Sequence, residues 1–207
     1  MLKRQPPKRE SHPEIVIVCE GKVTEPRYFL DLKKSFKNTL VTITPIGGCG
    51  VPISVVERAI DERQQRVANA KRSKNSFAKR FFVWAVFDRD AHPVGQVPAA
   101  MALAEANGIK VAFSNPCFEV WGLMHYSAYA KPGHHHQTQS ELKNKLKSYC
   151  HEHNPIIDLG EIQHLYNDAV KNSKKAMESR AEEGTPKGDP STNVYELTEL
   201  IRLEGRK

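Results

Sequence analysis

Two short acidic stretches carry the chemistry this sequence can do. Glu20-Gly21 follows the β-branched run Ile15-Val16-Ile17-Val18-Cys19, and Asp88-Arg89-Asp90 follows the apolar run from Phe81 to Phe87. Each run reads as a buried parallel strand: short, uninterrupted and stopped by charge. Side chains leaving the carboxyl ends of such strands project into the crevice where α/β proteins bind ligands. If the two strands are neighbours, Glu20, Asp88 and Asp90 converge within reach of one divalent cation, and an all-oxygen donor set suits a hard ion, Mg2+ or Mn2+. Gly21 lets a phosphate or a backbone approach closely, and Lys22 could contact that phosphate, with simple solvent exposure as the alternative. Taken singly, a Glu-Gly or an Asp-x-Asp after a strand is more often turn chemistry than a metal site. The inference comes from finding both.

The elements that must position these acids alternate. After the first strand, Thr24 can cap a helix with Pro26 in its first turn and Tyr28, Phe29 and Leu32 on one face. A second strand is expected at Leu40 to Thr44, closed by Gly47-Gly48-Cys49-Gly50, and a helix over residues 51–69. The strand at Phe81 to Phe87 precedes an alanine-rich helix from Val97 to Ala106, ended by Gly108, and a fourth strand from Ile109 to Phe113. This order predicts an α/β fold, a mostly parallel sheet flanked by helices on both faces. Beyond Ser114, Phe118, Val120, Trp121, Leu123 and Met124 predict a buried helix, followed by a polar turn from Lys131 to Gln137. Thr138-x-x-Glu141 and, more weakly, Asn193-x-x-Glu196 read as capping boxes for helices carrying Leu142 and Leu197. The expected organisation is a basic tail over 1–13, an α/β domain over 14–127 and a helical C-terminal extension over 128–207 packed on it.

Composition narrows the partners. The chain has 207 residues, enough for one domain with an appendage, and 31 Lys plus Arg against 24 Asp plus Glu give a formal charge of +7. That balance favours polyanionic partners, nucleic acid first. Arg63, Arg66, Lys71, Arg72, Lys74, Lys79 and Arg80 form a block without an acid, suited to tracking phosphates, or else a solvated helix end and loop. Gly48, in a glycine loop between a strand and a helix, could offer backbone amides to a phosphate; without a following Lys-Ser or Lys-Thr the loop is not a Walker loop, and a tight turn is the alternative. No apolar run approaches the roughly 18 residues of a membrane span, and the N-terminus has cations but no apolar signal segment, so a cytoplasmic location is expected. The four cysteines include no C-x-x-C pair and read as buried thiols. His134-His135-His136, with Cys150, His151 and His153 beyond, fits no zinc spacing; consecutive histidines are not expected to face one ion, so a polar loop is favoured. His92-Pro93 reads as the start of a loop, although His92 could shuttle a proton.

Glu20-Gly21 and Asp88-x-Asp90 at strand ends resemble the Toprim domain of topoisomerases, primases and small nucleases. Adding Thr24-Glu25-Pro26-x-Tyr28-Phe29, Asn115-Pro116-Cys117-Phe118-Glu119-x-Trp121, His125 and Asn193-Val194-Tyr195, almost the whole chain is similar to the RloB-like family. The resemblance implies a Toprim-like sheet and a metal-dependent nuclease cleaving DNA or RNA. It also implies association with restriction loci and phage defence, where proteins of the same locus would be partners. Carried onto this sequence, Glu20 matches the Toprim acid used for acid-base work or metal contact, and Asp88 and Asp90 match the metal-binding pair. Glu119 and His125 match positions characteristic of the narrower family. A helix beginning near Pro116 puts Glu119 on its first turn just after the fourth strand, while His125 reads as a core histidine or one that supports the site from behind. Two other readings stay open. A noncatalytic Toprim-like module that binds nucleic acid or serves as a scaffold usually carries a cysteine cluster, absent here. A haloacid-dehalogenase-type phosphatase, with Asp88 as nucleophile, leaves Glu20 without a role and meets His92 where Thr or Val is usual.

Overall fold

The structure, a computed structural model, describes residues 13–38, 42–73, 80–89 and 92–204; the basic tail before Pro13, Leu40, Lys74, Lys79 and Asp90 lie outside them. The chain alternates from the start: β1 (Glu14–Cys19), α1 (Thr24–Ser35), β2 (Thr42–Ile46), α2 (Pro52–Arg72), β3 (Phe81–Asp88), α3 (Gln96–Ala106) and β4 (Lys110–Asn115). Helices then dominate: α4 (Glu119–Met124), α5 (His135–Lys145), α6 (Leu159–Ile162), α7 (Tyr166–Glu182) and α8 (Val194–Leu203), interrupted by the two-residue β5 (Ser191–Thr192). The sheet runs in the order β2-β1-β3-β4-β5. The first four strands are parallel and β5 is antiparallel to β4. This is the predicted α/β class. Because β1 and β3 are neighbours, with Cys19 opposite Val86, the acids that follow each strand leave from adjacent ends.

Alternate residues of β1 explain why its sequence is apolar throughout. Ile15, Ile17 and Cys19 enter one core with α1 and α4 to α8, whereas Val16 and Val18 enter a second core with α2 and α3. A strand covered on both faces has no polar side to show. On the first face, Tyr28 of α1 meets Phe29 and Phe118 edge to face, with ring centroids 5.5 Å away in both cases. The Trp121 indole Nε1–H donates to the Tyr28 hydroxyl at 2.6 Å. These aromatics lock α1 against α4, and truncating Trp121 to Ala should cost about 3–5 kcal/mol.

The C-terminal segment is woven into the sheet rather than laid upon it. It supplies β5, and Asn193 binds β4 twice: its Oδ1 accepts from the Phe113 amide at 2.7 Å and its Nδ2 donates to the Val111 carbonyl at 3.0 Å. Asn193 therefore does not cap α8 with its side chain, contrary to the capping-box reading. The Thr138-x-x-Glu141 box fails too. α5 starts one turn earlier, inside the expected polar turn, with His134 and Gln137 forming the reciprocal cap and Thr138 buried. Thr24 opens α1 from within, the cap position being Val23 without a side-chain bond.

Candidate functional site

The carboxyl edge of β1 and β3 gathers acids. The Glu20 amide continues the ladder to Val86 at 3.0 Å. Its carboxylate then turns across the strand ends: Oε2 accepts from the Asp88 amide at 3.2 Å, and Oε1 lies 2.6 Å from His92 Nε2. Asp88 in turn accepts from the Phe118 amide at 2.9 Å through Oδ2, which ties the end of β3 to the start of α4. One residue on, Glu119 is only 4% exposed. Its Oε1 accepts from the Tyr149 hydroxyl at 2.5 Å and lies 3.6 Å from His151 Nδ1. Glu25, in the first turn of α1, is 6% exposed and accepts from the Gly21 amide at 3.1 Å. Glu20, Gly21, Glu25, Asp88, Glu119 and His151, with Gln139 of α5, line a cleft of about 250 Å³.

Crowding sets the charge state of the cleft. Burial, then Glu25, Glu119 and Glu20 nearby, hold the Asp88 carboxyl well above the usual range, opposed by the Phe118 amide. Burial pushes Glu25 up to about 6 against the amides that bond it, with Glu119 and Glu20 adding to the rise. Burial acts on Glu119 in the same sense, but His151, Tyr149, Cys117 and its own amide outweigh it and hold this carboxyl below the ordinary value. The cleft thus pairs acids that resist ionisation with one that is kept ionised. Gly21 makes it possible, since a Cβ there would collide with the Glu25 carboxylate.

A family model described as RloB-like protein matches residues 15–201. The chain belongs to the RloB-like protein family. No curated protein and no solved structure matches it. Within this RloB-like chain, the shared motif residues divide into two jobs. Tyr28, Phe29, Phe118 and Trp121 are core residues that hold α1 and α4 together, while Glu20, Asp88 and Glu119 face the cleft. His125 belongs to the first group: it is 1% exposed, its Nδ1 sits 3.0 Å from the Trp121 carbonyl oxygen, and burial pushes it down to about 4.

Of the other predicted site residues, some come together and others are drawn away. Glu20, Gly21, Asp88 and Glu119 share the cleft; Asp90 lies outside the described residues. Among the described residues no three of these acids bring an oxygen each within 4.8 Å of one another; only the trio His134, His135 and His136 brings its ligand atoms that close. The expectation that consecutive histidines cannot face one point is therefore corrected. The extended backbone at His134 folds its ring back over the start of α5, where it caps the His136 amide. Gly48 has φ of +76°, and its amide donates to the Gly21 carbonyl at 2.9 Å, so the glycine loop is a tight turn packed under Gly21 and Lys22 rather than a phosphate cradle. Lys22 is exposed above it.

The basic block is also displaced from the acids. α2 leaves the carboxyl edge at Pro52 and, with 21 residues, carries its last turns about 30 Å away. Arg63 lies beside Phe81, Gly108 and Lys110, at the amino ends of β3 and β4. Arg66 binds Glu14 at 2.8 Å and Glu62 more closely still. Lys71 and Arg72 are exposed, and Lys74 lies outside the described residues. Sequence reasoning missed Glu25 and His151 as parts of the cleft and Tyr149 as the partner of Glu119, and read His92 as the start of a loop that could also shuttle a proton. The signal for Glu25 was its spacing, four residues after Gly21; nothing local pointed to a loop 30 residues beyond Glu119.

Proposed function

We propose that this RloB-like chain is a metal-dependent nuclease of the Toprim type, cleaving phosphodiester bonds of nucleic acid. The observation that carries the reading is the meeting of Glu20 and Asp88, 68 residues apart in sequence, at adjacent parallel strand ends through the 3.2 Å contact from the Asp88 amide. Their donor set is all oxygen, and burial, then the neighbouring carboxylates, hold Asp88 well above its usual range, an unfavourable charge that a divalent cation offsets. Mg2+ or Mn2+ suits such a place because these ions need only one or two carboxylates, with waters and substrate phosphate completing the shell. Glu20 and Asp88 would hold the ion, with Asp90, two residues on in sequence, as the third expected ligand; Glu119, whose Oε1 is taken by Tyr149 and faced by His151, stays outside that set.

When bound, such an ion stabilises charge on the phosphoryl oxygens and lowers the pKa of water. The chain itself supplies the rest. His92 steadies Glu20 at 2.6 Å, the Asp88 amide fixes the other Glu20 oxygen, and Phe118 orients Asp88. The net charge of +7 favours a polyanionic substrate. A cytoplasmic setting and partner proteins of a defence locus belong to the same proposal.

The test is incubation of purified protein with labelled DNA and RNA panels, with and without Mg2+ or Mn2+. Cleavage that needs the metal and falls more than about a hundred-fold in Asp88→Asn, with the melting temperature kept, is the expected result. Full activity in that variant rejects the assignment, and stoichiometric binding without turnover favours the noncatalytic module.

A further inference from the structure

In the same cleft as Glu20, three side chains from two segments of the chain form a relay. The Tyr149 hydroxyl donates its single proton to Glu119 Oε1 at 2.5 Å. Burial and the Glu119 charge raise this phenol well above its ordinary value, so it keeps that proton. Its oxygen, 3.4 Å from His151 Nδ1, can then only accept from the histidine. Glu119 Oε1 also faces Nδ1, at 3.6 Å, an ion-pair contact. Both of these groups accept, an arrangement that favours a proton on Nδ1. The arrangement that orients a histidine between a carboxylate and a reacting atom is thereby assembled, with the opposite ring nitrogen, Nε2, as the reactive end. The His151 side chain is half exposed and lines the same cleft as Glu20 and Asp88.

We infer that His151 is the general acid of the cleavage reaction, positioned by Tyr149 and Glu119, an inference that rests on the nuclease reading. With both ring nitrogens protonated, the imidazolium is stabilised by the ionised Glu119 behind Nδ1. The water oxygen forms its bond to phosphorus and sheds a proton to solvent. The bond from phosphorus to the departing oxygen breaks, and its electron pair takes the Nε2 proton, leaving a hydroxyl on the released nucleoside. Neutral His151 regains a proton from solvent before the next turnover. The residues of the cleft thus divide the work, Glu20 and Asp88 serving the phosphoryl group and His151 the departing oxygen.

Leaving-group dependence tests this. Wild type, His151→Gln and Tyr149→Phe are assayed with Mn2+ on a nucleic-acid substrate and on bis(4-nitrophenyl) phosphate, whose nitrophenolate departs without a proton. His151→Gln is expected to slow nucleic-acid cleavage by about 10²- to 10³-fold and the nitrophenyl ester by less than about three-fold, with an unchanged melting temperature. Tyr149→Phe, which removes the hydroxyl that orients His151, should fall between wild type and His151→Gln on nucleic acid and match wild type on the ester. Equal losses on both substrates, or no loss on either, overturn the assignment of His151 while leaving the nuclease reading standing. Wild-type protein inactive on both substrates overturns the two together.

Discussion

One parallel sheet carries opposite charge at its two ends. At the carboxyl end, Glu20, Glu25, Asp88 and Glu119 crowd into one cleft. At the amino end, Arg63 and Lys110 flank the start of β3, and exposed Lys71 and Arg72 end α2. Parallel strands bring every carboxyl terminus to the same edge, so residues far apart in sequence meet there, whereas the helices that return the chain deposit their last turns at the other edge. A run of charge in the sequence thus says little about which edge it will occupy. The length of α2 decides that, and it separates the cations from the acids.

The comparison can be broken by exchanging charge at each edge. Asp88→Asn should abolish metal-dependent cleavage, a loss above about a hundred-fold. Reversing Arg63, Lys71 and Arg72 together to Glu should change the rate on a substrate of a few nucleotides by less than about three-fold, since such a substrate cannot span both edges. For long nucleic acid, the triple variant should weaken binding and flatten its salt dependence, read as the slope of log affinity against log salt concentration. A collapse of cleavage on the short substrate would show that the cations reach the cleft after all.

Legibility in the sequence follows the same division. The alternation of β1, α1, β2, α2, β3, α3 and β4 was readable because β1 and β3 are apolar on both faces, α1 and α2 are periodic, and alanine-rich α3 is followed by Gly108. Glu20 and Asp88 were readable because charge stopped those strands. What escaped were partners chosen by tertiary packing. Glu25 looked like an ordinary acid in a helix's first turn, where dipole and solvent usually explain it. Tyr149 and His151 come from the turn region after α5, tied by the Cys150–Asn154 bridge, with no local pattern pointing back at Glu119. Capping was misjudged where a side chain had a better partner: Asn193 was drawn to β4, and Thr138 was buried, leaving His134 to cap α5.

Buried titratable groups sharpen the contrast within the carboxyl half. His125 falls from 6.5 to about 4 on burial. Between those values the unfolded chain binds more protons, so this residue's contribution is intact above pH 6.5 and is lost on acidification, by about 3 kcal/mol at pH 4. His125→Phe should flatten the stability slope over that window by about one proton. Glu25 has the opposite sign. Its value rises from 4.5 to about 6, so the folded chain binds the extra proton, and stability falls as pH rises through that window. At pH 8, Glu25→Gln should therefore raise stability by about 1–2 kcal/mol, and added Mg2+ should raise the melting temperature of wild type more at pH 8 than at pH 5. Chemical denaturation across pH separates the two slopes. A Glu25→Gln variant less stable than wild type at pH 8 would mean that its amide bond to Gly21 outweighs the crowding.

The smallest effect concerns α5, which brings Gln139 to the cleft and so must start in the right place. Two sequence patterns compete to start it. The Thr138-x-x-Glu141 box would place the first turn four residues too late, whereas the cap at His134 and Gln137 begins it at His135. Glu141 instead binds Lys131 at 3.0 Å on the surface, a contact worth little in water. His134→Ala should then cost about 0.5–1 kcal/mol, a melting shift of roughly 2 °C for a chain of this size, while Glu141→Ala stays within about 0.5 kcal/mol of wild type. Because α5 is anchored by buried Leu142 as well as by its cap, the loss should fray the first turn without unseating the helix. Hydrogen exchange at the first amides of α5 should report it before the melting temperature does, and the reverse ranking of the two variants would return the helix start to Thr138.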